Sequence, residues 1–180
     1  MKGYSMTQLT DGRELWHTPA PDDKADAIAR LVKFWSSATK SLLIVDYSNN
    51  LADQVTVVEG LLAKGIPVKL VLDHSQSTGK TEVPVIQDYR NLVDKYPELI
   101  TLVIGESCMH KIVHDKYSVV DGQWAEYGSF NFTDAAGLED NFFFIEDNEQ
   151  VASVLTTIGE TISSWILENE PQYNPGDTQA

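Results

Sequence analysis

Residues 41–72 read SLLIVDYSNNLADQVTVVEGLLAKGIPVKLVL, and the changes of period within them decide the fold class. Ser41 to Tyr47 is a short, nearly continuous apolar run, the mark of a strand covered on both faces. Leu51 to Lys64 then places Leu51, Val55, Val58 and Leu62 on one helical face. Gly65 closes that helix, and Ile66 to Leu72 returns to a buried strand. Upstream, Pro21-Asp22-Asp23 opens a helix that carries Ile28, Leu31, Val32, Trp35 and Ala38. Downstream, His74 to Thr81 is a polar loop, and Pro84 suits the first turn of a helix through about Tyr96. Leu99 to Ile104 is a further strand.

After that the pattern changes. Met109 to Val120, Trp124 to Tyr127 and Phe142 to Ile145 read as strands, with a tight turn at Asp121-Gly122. A last helix from about Glu149 to Leu167 carries Val151, Leu155, Ile158, Ile162 and Trp165. Strand–helix alternation followed by clustered strands predicts an α/β fold, a mixed and mostly parallel sheet flanked by helices. One domain spans residues 25–170. Residues 1–24 show no sustained period and are expected to be a loose arm, and 171–180 a flexible tail.

Composition narrows the class. In 180 residues, 42% are hydrophobic, including four Trp, seven Tyr and six Phe, enough for a sizeable core. With 22% charged residues and no long Pro, Gly or Ser tract, disordered and collagen-like chains are excluded. The single cysteine, Cys108, excludes an intrachain disulfide framework and a Cys-clustered zinc site, and reads as a small packing residue. No signal-type apolar region opens the sequence, and no apolar run reaches the roughly 18 residues of a membrane span. A cytoplasmic protein without stable membrane association is expected. All 13 Lys and Arg lie in residues 1–116, whereas 117–180 hold 12 acids and no base. Such a chain does not read as a general polyanion binder, because counterion release needs basic side chains facing the phosphates.

Residues 114–131 read HDKYSVVDGQWAEYGSFN. On a strand, His114 and Lys116 project to one face. Asp121 follows, then Gly128-Ser129 and Asn131, giving H-x-K-x4-D-x6-G-S-x-N. This resembles the signature of the phospholipase D superfamily, with every fixed position filled. Tyr47-Ser48, Gly65-Ile66-Pro67-Val68, Asp73-His74-Ser75-Gln76, Phe132-Thr133 and the strand opened by Asn141 also look like that family's compact, single-motif endonuclease branch. The likeness covers about residues 25–165.

The residue types suit phosphodiester cleavage. A neutral His114 can attack phosphorus, splitting one hard step into two. Lys116 can neutralise the non-bridging oxygens as charge builds. Ser129 and Asn131 add short neutral donors, and Gly128 lets backbone approach the substrate. Ser75, Lys80 and His110 are further candidates to line the cleft. Asp121 serves either the site or the tight turn it opens. Gly79-Lys80-Thr81 lacks the first glycine of a nucleotide-triphosphate loop, which His74 replaces. Trp124, Phe130 and Phe132 read as packing residues before base-stacking ones.

The resemblance implies more. One motif supplies one histidine, whereas attack and leaving-group protonation need two. A C2 homodimer with the site on its axis is therefore implied, with nucleic acid, DNA or RNA, as substrate and no metal or cofactor. The family's small nucleases carry Glu before the Asn that opens the last strand, and here Asp140 takes that place. Two other readings share the motif: a lipid or small-diester phosphodiesterase, and an interaction protein that has lost activity.

Overall fold

The structure, a computed structural model, describes residues 6–18, 21–108 and 111–174, and the side chains of all of these except 21–26. In chain order they form β1 (Met6–Gln8), β2 (Glu14–His17), α1 (Pro21–Ser36), β3 (Leu42–Asp46), α2 (Ala52–Leu62) and β4 (Val68–Asp73). Next come α3 (His74–Ser77), α4 (Val83–Lys95), β5 (Ile100–Gly105), β6 (Lys116–Val120), β7 (Trp124–Gly128), β8 (Phe142–Asp147) and α5 (Glu149–Asn169). Short 3-10 turns occupy Ala136–Leu138 and Pro171–Tyr173.

Among the described residues the strands make one sheet in the order β1-β2-β8-β7-β6-β3-β4-β5. It is mixed and flanked by helices, as expected, but it is not mostly parallel. Only β3–β4 and β4–β5 run parallel, and the other five pairings are antiparallel. The reason lies in the connections. A parallel neighbour needs a helical crossover, and α2 and α3–α4 make those of β3–β4 and β4–β5. β6 returns to β7 through Asp121-Gly122, whose φ angles of 59° and 67° suit a tight hairpin turn.

The helices cover the sheet unequally. On one face Leu31 and Trp35 of α1, Val58, Leu61 and Leu62 of α2, and Tyr89 of α4 pack on Leu42, Ile44, Leu70 and Leu72. Across the sheet, Ala152 and Ile166 of α5 join Leu43, Val45, Val71, Val103 and Val119. Burying each such aliphatic side chain is worth about 1.5–3 kcal/mol. Phe130 and Phe132 are fully buried in the first cluster, so they are core and not base-stacking groups, while Trp124 is exposed.

Three boundaries differ from expectation. Residues 6–17 are not a loose arm but a hairpin paired to β8, with Trp16 stacked on Phe143. Both oxygens of Glu14 accept from the Arg30 guanidinium at 2.8 Å, tying β2 to α1. Of the strand expected over Met109–Val120, residues 109–110 lie outside the described residues, 111–115 take an irregular path on which the Val113 N–H is held by the Asp73 carboxylate of β4, and β6 starts only at Lys116. The polar loop at 74–81 contains the single turn of α3, capped by the Asp73 carboxylate.

The C-terminus is also docked further than expected. Asn174 is buried, donates to the Ile104 carbonyl at 2.8 Å and accepts the Ile104 N–H at 2.8 Å. Its amide thus imitates a neighbouring strand at the outer edge of β5. Residues 171–174 therefore belong to the packed structure, while 175–180 lie outside the described residues. Asn174→Ala leaves two buried backbone groups unsatisfied and should cost about 1–3 kcal/mol, read as a lower urea midpoint. A loss under about 0.5 kcal/mol would show that water replaces the amide.

Candidate active site

The carboxyl ends of β3, β4 and β7 and the amino ends of β6 and β8 meet at one end of the sheet. The register requires it: Asp46 stands opposite Lys116, and Gly128 opposite Phe143. In open α/β sheets this end is where ligands bind. His114 lies there, but ahead of β6 and not on it, so the alternation argument does not place it. Side-chain bonds do. Asp73, at the end of β4, accepts the Val113 N–H at 2.8 Å and the Ser75 hydroxyl at 2.5 Å. The exposed His114 ring then sits 4.8 Å from the Tyr47 ring, centroid to centroid.

Lys116 opens β6 and is 7% exposed. Its ammonium donates to the His114 carbonyl at 2.6 Å and lies 5.0 Å above the Tyr47 ring. Burial pushes this ammonium below the ordinary lysine value, and the carboxylates of Asp46, Asp115 and Asp73 act the other way. Tyr47 in turn accepts from the Gln76 amide at 2.9 Å. The His114 ring and the Lys116 ammonium thus both lie against one aromatic ring held from α3.

The second half of the motif enters from β7. Ser129 donates its N–H to the Phe142 carbonyl at 2.9 Å, and its hydroxyl accepts the Phe142 N–H at 3.1 Å. The same hydroxyl reaches the Asn141 amide oxygen at 3.3 Å. The Asn131 amide oxygen is buried and accepts nothing among the described residues. Gly128 has a different role from the one expected. A Cβ there would lie 2.2 Å from the Phe142 carbonyl oxygen and 2.7 Å from Phe143 Cα, so the glycine admits the β8 backbone. No contact with substrate is needed to explain it.

Asp121 is not part of the site. It closes β6 at the opposite end from Lys116, about 17 Å along an extended strand. Its carboxylate accepts the N–H groups of Thr39, Lys40 and Ser41 and the Thr39 hydroxyl, at 2.7–3.1 Å. It therefore fixes the α1–β3 loop. Asp140 is exposed just before β8, and its carboxylate has no hydrogen bond or ion pair among the described residues. Ser75 is exposed beside Gln76 at the site's rim, and Lys80 is exposed beyond α3. His110 lies outside the described residues.

Sequence reasoning missed Asp46, which is fully buried at the end of β3 and accepts the Phe132 N–H at 3.0 Å. The signal was present: a carboxylate inside a run that is apolar on both sides. Glu126 is a second such acid, also fully buried, accepting from Ser118, which accepts from the Trp35 indole. A histidine, a buried lysine and a Ser–Asn segment thus gather at the carboxyl end of a mixed sheet, the grouping that the phospholipase D resemblance implies.

Comparison with known proteins agrees. The family model described as "Cardiolipin synthase, PLD-like domain" matches residues 31–161, and the chain belongs to that phospholipase D-like family. It is similar to the structure of the phospholipase D family member Nuc from Salmonella typhimurium, at 24% identity and a TM-score of 0.69. That match covers 83% of this chain and 93% of that one. NucT from Helicobacter pylori is 19% identical with a TM-score of 0.70, over 83% and 94% of the two chains. Phosphatidylserine synthase from Haemophilus influenzae is 14% identical with a TM-score of 0.60, over 89% of this chain and 40% of that one. At these identities the likeness is one of fold. No curated protein sequence matches the chain.

Partial burial works against ionisation of Asp121, but the bonds from Thr39, Lys40 and Ser41 hold its carboxyl below the ordinary value. A depressed folded-state pKa stabilises above the unfolded value, about 3.9, and that stability is lost as pH falls through the folded one. Asp121→Ala should therefore cost about 2 kcal/mol at pH 7, and the gap to wild type should narrow below about pH 4. Urea unfolding at pH 7 and pH 3 measures both, and a gap independent of pH would refute the assignment.

Proposed function

We propose that this chain is an endonuclease that hydrolyses nucleic-acid phosphodiesters without a metal ion, through a site completed by a second copy across a two-fold axis. The observation that carries the reading is the gathering of His114, Lys116, Ser129 and Asn131 at one end of the sheet. The neutral His114 imidazole attacks phosphorus, the P–O bond to the leaving nucleotide breaks, and a phosphohistidine forms. The departing alkoxide takes its proton from the partner subunit's His114. Water then attacks the phosphohistidine, giving its proton back to that second imidazole, and His114 leaves.

Lys116 suits the non-bridging oxygens because it is buried and its ammonium is already directed to the end of the sheet. The Ser129 hydroxyl and the Asn131 amide supply neutral donors beside it. The family's Glu has its counterpart in Asp140, one methylene shorter and exposed, which fits an orienting role only when substrate or a second copy is present. No helix among the described residues is long and apolar enough to cross a membrane.

The cardiolipin synthase in the family description favours one second reading, in which the diester belongs to a lipid. Both readings are separated by incubating the protein with supercoiled plasmid, single-stranded DNA, RNA and phospholipid vesicles, in EDTA at low salt. Cleavage of nucleic acid alone is the expected result, with activity falling steeply as salt rises. Hydrolysis of lipid alone selects the second reading, and turnover of none refutes both.

His114→Ala should lose at least about three orders of magnitude in kcat/KM, and Lys116→Ala about two. Folding should persist in both variants, seen by circular dichroism. Light scattering should give twice the chain mass for each. A monomeric wild type with full activity would remove the two-fold site.

A further inference from the structure

Asp46 ends a strand that is buried at every position. A carboxylate there is costly unless charge and hydrogen bonds compensate it. Its compensation comes from the site. Oδ2 accepts the Phe132 N–H at 3.0 Å and, at 3.4 Å, the Asn49 amide. Asn49 also donates to the Gln54 side-chain oxygen at 2.7 Å, which accepts the Tyr89 hydroxyl at 2.7 Å. Two bonds from the next residues reinforce the first: the Asn50 N–H to the Phe132 carbonyl and the Asp134 N–H to the Asn50 amide oxygen, both 3.0 Å. The chain leaving Asn131 is thereby clamped to the β3–α2 loop at three points.

The same carboxylate faces Lys116. The two residues are direct partners in the antiparallel β3–β6 ladder, so their side chains share one face. Asp46 Oδ1 is buried and accepts no hydrogen bond among the described residues. We infer that Asp46 is a positioning residue of the site, clamping the segment that carries Asn131 and setting a buried carboxylate on the sheet face that Lys116 shares.

The electrostatics have the matching signs. Burial drives the Asp46 carboxyl well above its ordinary value, and the Phe132 N–H and Lys116 oppose this. Burial drives the Lys116 ammonium down, and Asp46 leads the carboxylates that oppose that. Each shift is opposed by the charge of the other group across the strand pair. The other ionisable groups around Lys116 are Asp115 and His114 on its own segment, Tyr47 on the β3 side and Asp73 on β4. Glu126, one strand beyond, acts on Asp46 and bonds to Ser118.

The consequence for turnover rests on the phosphodiesterase reading, but the charge relation is measurable without substrate. The full chain labelled with [ε-13C]lysine is titrated by NMR, the Lys116 signal being assigned with Lys116→Arg. Asp46→Asn keeps an acceptor for the Phe132 N–H and removes the charge, so the Lys116 midpoint should fall by about one pH unit. Glu126→Gln should leave it within about 0.3 unit. The reciprocal measurement keeps Asp46 in place: in Lys116→Gln the 13Cγ midpoint of Asp46 should rise by about one unit. In the active enzyme the alkaline limb of kcat/KM should move down with Lys116 in Asp46→Asn, while the acid limb stays. An unmoved Lys116 midpoint, or one moved as far by Glu126→Gln, overturns the inference. An unmoved Asp46 midpoint in Lys116→Gln does so independently. If the wild type cleaves no nucleic acid, the titrations still decide, so failure of the nuclease reading is told apart from failure of the charge coupling.

Discussion

The antiparallel seam between β3 and β6, from Leu42 against Val120 to Asp46 against Lys116, is the pairing on which the rest of the molecule depends. On one side of it the sheet is parallel and helix-linked. On the other it is a set of antiparallel neighbours joined by turns and loops. Because the seam is antiparallel, the start of β6 is brought to the carboxyl ends of β3 and β4, where crossover loops already leave room for a ligand. A one-residue slip in this register would turn Lys116 to the α5 face and bring Tyr117 in its place. The buried patterns on both faces, Ile44 and Leu70 on one and Val45 and Val71 on the other, prevent such a slip.

The acidic balance of residues 117–180 looks different once the side chains are placed. Glu126 is a buried acceptor for Ser118, and Glu146 accepts from Tyr127 and Asn148. Glu170 accepts the Glu106 N–H, and Asp121 gathers three backbone donors. Several of these carboxylates therefore accept from internal donors. Formal charge counted along the sequence overstates the repulsion that an incoming polyanion meets.

Much of the fold was legible because its signals are local. Periodicity located β3, α2, β4, α4, β5 and α5 to within a few residues, and Asp121-Gly122 marked its turn. The same dipeptide at Asp11-Gly12, with φ of 93° at the glycine, marks the β1–β2 turn and went unread. Four-residue β2 has too few positions to show alternation, and only its pairing with β8 reveals why Trp16 is apolar. Motif spacing singled out His114, Lys116, Ser129 and Asn131, and the fold brings them to one end of the sheet. It left Asp121 open between site and turn, since spacing along a strand does not say which end a residue occupies relative to a ligand. Gly128 was read for substrate because the β8 backbone against it comes from 14 residues further on. Asp46 was invisible to the motif for the same reason: its partners, Phe132 and Lys116, are neighbours only after folding.

The Asn174 amide on the edge of β5 has a consequence for how copies of this chain can meet. Edge strands offer unpaired backbone groups that template further strands. At β5 the groups of Ile104 are already taken by a side chain, and a side chain cannot pass the pairing on to a next strand. The opposite edge is β1, three exposed residues long. The two borders of the sheet thus differ: one is capped by a side chain at Ile104, and the other is merely short. A strand added by another molecule along β5 meets the Asn174 amide at that point.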